Sequence, residues 1–184
     1  MDSDLILRIK SGDQVAFRDL YNKYSSYIYT LSYRLSGSAE EAKDLVQEFF
    51  IRFYNSVDKF DTNYPFIPWS KKVLTNLYID KKRVKKEYTS FEDLTSEDDD
   101  RSFDPVDESM LPEDMVMRYE NKEAVEKALL KIPEIYRVAI VLFYQEDMSI
   151  KEISNILSVD EGTVKMRISR GRKKLHKELS DYEL

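Results

Sequence analysis

An all-α protein of two small helical domains joined by an acidic tether is what this chain predicts, on three observations. Apolar residues recur at helical spacing on both sides of a strongly acidic segment. Only four glycines and five prolines punctuate 184 residues, few for the turns of a sheet protein. The 42% hydrophobic content, with nine Phe and thirteen Tyr, supplies apolar area for two modest cores.

The elements follow in order. Phe17, Leu20, Tyr21, Tyr24, Ile28, Leu31 and Leu35 keep one face through a long amphipathic helix, and Gly37 stands where a helix end favours positive φ. Ser38-Ala39-Glu40-Glu41 has capping-box form and opens a second helix to about Val57, with Ala42, Leu45, Val46, Phe49, Phe53 and Val57 inward. The stretch FDTNYPFIP, with two prolines, is a loop. A third helix begins near Pro68, a residue accepted in a first turn, and turns Trp69, Val73, Leu77 and Val84 inward up to the basic run KKRVKK.

Residues Thr89 to Asp114 have few apolar anchors and many like charges, so burial offsets little of the ordering entropy and a flexible linker is expected. Periodicity returns with Tyr119, Val125, Ala128, Leu129 and Ile132, and Pro133 ends that helix and starts the next, EIYRVAIVLFYQE. Domain limits of 1–88, 89–114 and 115–184 follow.

Charge is segregated. Glu92 to Asp114 contains eleven carboxylates and one Arg, a net −10 within a chain of net −6, so the remainder carries +4. KKRVKK and RISRGRKKLHK concentrate that positive charge, as patches that neutralise phosphates do. With no cysteine and one histidine, His176, thiolate and zinc chemistry are excluded and no cofactor is expected. No glycine-rich phosphate cradle or nucleophile near a histidine argues for an enzyme. MDSDLILRIK lacks a signal-like apolar run, and no stretch of about eighteen apolar residues occurs, so no membrane insertion and a cytoplasmic location are expected.

In MSIKEISNILSVDEGTVKMRISRGRKKL, Ser149 caps a helix whose Ile153, Ile156 and Leu157 face inward. Ser158-Val159-Asp160 makes a turn, and Val164, Ile168, Gly171 and Leu175 form the next buried stripe. This is a helix-turn-helix pattern, with Thr163, Lys165, Met166, Arg167, Ser169, Arg170 and Arg172 available to a DNA groove. The bland alternative is a solvated basic helix. In the first domain Asp44, Gln47, Glu48 and Ile51 line the side opposite the apolar stripe, either a docking face or an ordinary solvated one. Tyr64, Phe66 and Trp69 stand near Lys71, Lys72, Asn76, Lys81, Lys82 and Arg83, the mix of aromatics and cations that single-stranded DNA requires. For Trp69 a core position is the stronger expectation; for Tyr64 it is the weaker.

The ordered combination of AEEAKDLVQEFFIRFYNSVDKF, PFIPWSKKVLTNLYIDKKRVKK and LLKIPEIYRVAIVLFYQEDMSIKEISNILSVDEGTVKMRISRGRKKL resembles the extracytoplasmic-function (ECF) group of bacterial sigma factors, in the sigma-70 superfamily. The resemblance implies a region 2 helical bundle that binds core RNA polymerase and melts the downstream promoter element. It implies a region 4 helix-turn-helix domain that reads the upstream element, with the linker running into the polymerase interior. Polymerase binding then maps to Asp44, Gln47, Glu48, Ile51 and Tyr54. The pocket for a flipped base maps to Tyr64 and Phe66, with Lys72, Asn76, Asp80, Lys81 and Arg83 contacting the downstream element. Thr163, Lys165, Arg167, Ser169, Arg170 and Arg172 are assigned to the upstream element, and an anti-sigma factor is an expected partner. The loop FDTNYPFIP departs from the shorter, glycine-bearing form of many relatives. A freestanding helix-turn-helix regulator that never engages polymerase is the competing reading. The acidic linker is equally accounted for as a solubilising spacer, a nucleic-acid mimic or a shield for the basic lobes.

Overall fold

The computed structural model describes residues 2–88 and 122–180, with side chains at 84–88 and 122 outside the description. The linker at 89–114 and the anchor Tyr119 lie outside the described residues. The chain divides into two compact units, Met1–Lys81 and Lys82–Leu184. Among the described residues all regular structure is helical.

In the first unit α1 spans Asp2–Lys10, α2 Gln14–Ser36 and α3 Ala39–Ser56, followed by a 3-10 turn at Val57–Lys59; α4 spans Phe66–Tyr88 and runs past the unit's limit. Asp13 caps α2, its carboxylate accepting from Val15 N at 2.9 Å and Ala16 N at 3.1 Å. Gly37 ends it at φ 72°, its N–H donating to Tyr33 O at 2.8 Å. Ser38 then caps α3 by accepting from Glu41 N at 3.3 Å. All six inward positions expected on α3 are buried. Phe49, Phe53, Phe60, Phe66 and Trp69 form a continuous aromatic cluster with centroids 5.1–6.3 Å apart, mostly edge to face.

Three details differ from the sequence reading. The short helix α1 was not expected, yet Ile6 and Ile9 are buried. Helix α4 starts at Phe66, which puts Pro68 inside the first turn, where its missing N–H costs nothing. Among its described side chains Phe66, Ser70, Leu74, Thr75, Leu77 and Tyr78 are buried, while Trp69 and Val73 are half-buried on the flank.

In the second unit α5 spans Lys122–Lys131 and α6 Glu134–Ile140, which continues into a π turn at Val141–Gln145; α7 spans Ile150–Leu157 and α8 Glu161–Ser180. Pro133 separates α5 from α6, and the buried Arg137 guanidinium donates to the freed carbonyls of Leu130 and Ile132, both at 3.4 Å. Ala128, Leu129 and Ile132 pack with Ile140, Leu175 and Leu179. Ser149 and Glu152 close a full capping box at the start of α7, and Ser158 turns the chain in the left-handed region at φ 53°. The expected stripe of Val164, Ile168, Gly171 and Leu175 is buried, extended by Leu179.

Candidate polymerase and nucleic-acid interfaces

Helix α3 buries one face and leaves the other to solvent. Asp44, Gln47, Ile51 and Tyr54 are exposed along it, with Ile51 60% accessible, a large exposure for an isoleucine. Glu48 is half-buried at the edge of this strip. Arg52 Nη2 lies 2.7 Å from its Oε1 and Lys81 Nζ 3.0 Å from its Oε2. Burial pushes the Glu48 carboxyl up, but hydrogen bonds from Lys81 and Arg52 outweigh it and hold the group below the usual carboxylate range. Phe17, Tyr21 and Phe50 back the strip: Phe17 meets the Tyr54 ring at 5.1 Å and Tyr21 meets Phe50 at 4.6 Å.

The loop before α4 is a folded object. Asp61 Oδ1 accepts from Asn63 N at 2.9 Å and Asn63 Nδ2 at 3.1 Å, and Tyr64 N donates to Asp61 O at 3.0 Å. Phe60 and Phe66, at its two ends, are buried, whereas Tyr64 is 44% accessible. Phe66, assigned from sequence to the downstream element, is therefore corrected to a core residue, 1% accessible beneath Tyr24 and Trp69. Aromatic type marked both residues, and only packing separates them. Asn76, Asp80 and Arg83 are exposed at i, i+4, i+7 of α4, with the half-buried Lys72 four residues before Asn76. Lys81 leaves this strip and turns to Glu48.

On α8, Lys165 is exposed and Thr163, Ser169 and Arg170 are half-buried away from the packed stripe. Asp160 caps the helix, accepting from Thr163 N at 2.8 Å and Thr163 Oγ1 at 2.6 Å, so the Thr163 hydroxyl is already engaged. These bonds hold the Asp160 carboxyl below its usual value. Arg167 lies on the flank near Tyr136 and Asp160, where burial lowers its guanidinium from the ordinary value. Arg172 hydrogen-bonds the Tyr144 hydroxyl; burial raises that phenol, and the arginine partly opposes the shift. Lys174 Nζ sits 5.8 Å from the Tyr136 ring centroid. These aromatic partners were illegible on a single helix, because they come from α6 and the π turn. Among the described residues no cluster of metal-ligating side chains occurs.

The Sigma-70 region 2 family model matches residues 20–88, and that of Sigma-70, region 4 matches 122–175. The chain is 42% identical over 178 residues to the ECF RNA polymerase sigma factor SigW of Bacillus subtilis, covering 96% of this chain and 95% of that one. This chain belongs to the ECF sigma factors. The ECF sigma factor SigE of Mycolicibacterium smegmatis is 35% identical, over 94% of this chain and 66% of its own. The same fold occurs in the sigma factor RpoE of Bartonella quintana, solved with the anti-sigma factor NepR, at TM-score 0.56 and 20% identity, covering 89% of this chain and 96% of that one.

As a sigma factor the protein is an RNA polymerase-binding transcription initiation factor, which sets aside the freestanding regulator. Sigma factors are not known as enzymes. Among the described residues no helix is long and apolar enough to cross a membrane.

Proposed function

We propose that this sigma factor docks on core RNA polymerase through Asp44, Gln47, Glu48, Ile51 and Tyr54, and captures an unpaired base of the downstream element against Tyr64. Lys72, Asn76, Asp80 and Arg83 follow the same strand along α4, with Lys81 joining them when it leaves Glu48. Thr163, Lys165, Ser169, Arg170 and Arg172 meet the upstream element, with Arg167 holding the flank of α8. The working limits are 1–88 and 115–184, joined by the linker at 89–114. No covalent bond is made or broken and no cofactor is needed. Flipping a base costs a few kcal/mol and stacking returns about 1–3 kcal/mol per base, so strand separation is driven by binding. The protein works in the cytoplasm and is held there by an anti-sigma factor covering these faces; the fold shared with an RpoE crystallised with NepR supports this partner class.

One observation carries the reading: Tyr64 stands exposed on a loop whose flanking aromatics, Phe60 and Phe66, are buried. The test is run-off transcription from genomic promoter fragments with core polymerase, using this protein and its Tyr64→Ala variant. Discrete protein-dependent starts are expected, and Tyr64→Ala is expected to keep promoter binding while losing strand opening. No starts from a core polymerase that responds to a control sigma factor overturns the reading.

A further inference from the structure

The geometry points to Lys10 as a positioning residue for promoter opening: its ammonium holds the base-capturing loop in place from α1. This rests on the reading that the loop of Tyr64 receives the unpaired base. Lys10 Nζ donates to Phe60 O at 2.7 Å and Asp58 O at 3.2 Å. Those carbonyls close the 3-10 turn that feeds the loop, a helical end where cations are favoured. Ser3 Oγ donates to Thr62 O at 3.1 Å, inside the loop itself. Asp2 accepts from the Tyr24 hydroxyl, and the Tyr24 ring lies 4.6 Å from Phe66, the loop's far anchor.

One short helix thus reaches both ends and the middle of the loop, while the buried Ile6 and Ile9 fix it to the unit. The loop has no glycine, and Pro65 narrows the backbone of Tyr64. A loop ordered before the strand arrives loses less entropy on capture. Removing the ammonium breaks both bonds and releases the near end of the loop, so the Tyr64 ring is no longer presented at a fixed place.

The experiment uses full-length protein with core polymerase on a promoter mapped by run-off transcription, comparing Lys10→Met, Lys10→Arg, Arg8→Ala and Tyr64→Ala. Permanganate reactivity of downstream thymines reports opening, protection of the upstream element reports binding, and thermal denaturation reports folding. Arg8 pairs with Asp13 at 2.7 Å without touching the loop, so its variant is the structural control. Lys10→Met is expected to lower opening by about tenfold or more with upstream protection unchanged, since small misplacements cost that much. Lys10→Arg, which still donates to both carbonyls, is expected to restore it, and Arg8→Ala to open normally. If Tyr64→Ala abolishes opening while Lys10→Met opens like wild type, the role of Lys10 is overturned and the pocket stands. If both open like wild type, the pocket reading has failed. Equal losses of opening, promoter binding and thermal stability in Lys10→Met, without rescue by arginine, reduce Lys10 to a folding residue and also overturn the proposal.

Discussion

Lys81 Nζ lies 3.0 Å from Glu48 Oε2, joining a residue assigned to promoter DNA with one assigned to polymerase. Both side chains keep substantial solvent contact, so the pair itself stabilises by about 0.2–1 kcal/mol, as exposed pairs do. A double-mutant cycle of Glu48→Gln and Lys81→Met, followed by urea denaturation, is expected to return a coupling in that range. Function should separate the two residues. Glu48→Lys sets a third cation beside Arg52 and Lys81 and is expected to weaken core polymerase binding about tenfold or more in a competition assay. Lys81→Met is expected to leave that affinity intact. Equal losses in both variants would place Lys81 in the docking face as well.

The two arginines on α8 are expected to behave differently, although their sequence context is alike. Arg167 is drawn to the flank beside Tyr136 and Asp160, whereas Arg170 lies farther from the packed stripe. Arg170→Ala should cost about 1–3 kcal/mol on the upstream element and relax preference at one base pair. Arg167→Ala should lower thermal stability and reduce DNA affinity about uniformly across sequences. Binding isotherms on a set of single-base variants of the element distinguish the two patterns; base-specific loss with Arg167→Ala would reverse the assignment.

Long helices were the most legible part of the chain, because burial writes a period into sequence. The α3 stripe and the Val164, Ile168, Gly171, Leu175 stripe were read residue by residue. Helix α1 carries Leu5, Ile6, Leu7 and Ile9 within nine residues, a cluster too short to define a period, and only Ile6 and Ile9 of it are buried. The frame of α4 shifted because aromatic side chains reach around a helix: Trp69 joins Phe49, Phe53 and Phe60 from its flank. Sequence chemistry found Tyr64 and Phe66 together, but only the fold exposes one and buries the other. The contacts of Lys10 with Phe60 and Asp58 span some fifty residues, a distance over which single-sequence pattern carries no signal.

Acid should loosen α1 before it unfolds the unit. Burial pushes the Asp2 carboxyl up, but hydrogen bonds from Lys23 and Tyr24 outweigh it, and its folded pKa lies below the ordinary 3.8. A depressed carboxylate stabilises fully above its unfolded pKa, and that contribution is lost as pH falls through the folded value. Lys23 keeps its charge and Tyr24 its proton throughout this range. Asp2→Asn is therefore expected to destabilise by less than about 1 kcal/mol near neutrality, after allowance for screening. The difference from wild type should shrink as pH falls below about 4. Denaturant titrations at a series of pH values measure it, and a pH-independent difference would exclude the carboxylate charge as the cause.

Gly171 sets how closely α8 approaches α6. A Cβ there meets Ile140 Cδ1 at 2.7 Å, Ile140 Cγ1 at 3.1 Å and Tyr136 Cβ at 3.1 Å. Ala for Gly inside a helix gains about 1 kcal/mol of propensity, while overpacking a filled core costs about 1–3 kcal/mol. The Cδ1 contact can be relieved by rotating Ile140, but Tyr136 Cβ is fixed to its helix, so the cost should win. Gly171→Ala is expected to destabilise by up to about 2 kcal/mol, the difference of those ranges. Combining it with Ile140→Val removes the Cδ1 atom and should recover part of the loss, beyond the sum of the single changes. Urea denaturation of the four proteins in this cycle decides it. A Gly171→Ala variant as stable as wild type or more so would mean that α6 moves aside at little cost, and that close approach at this position is not what fixes the two helices.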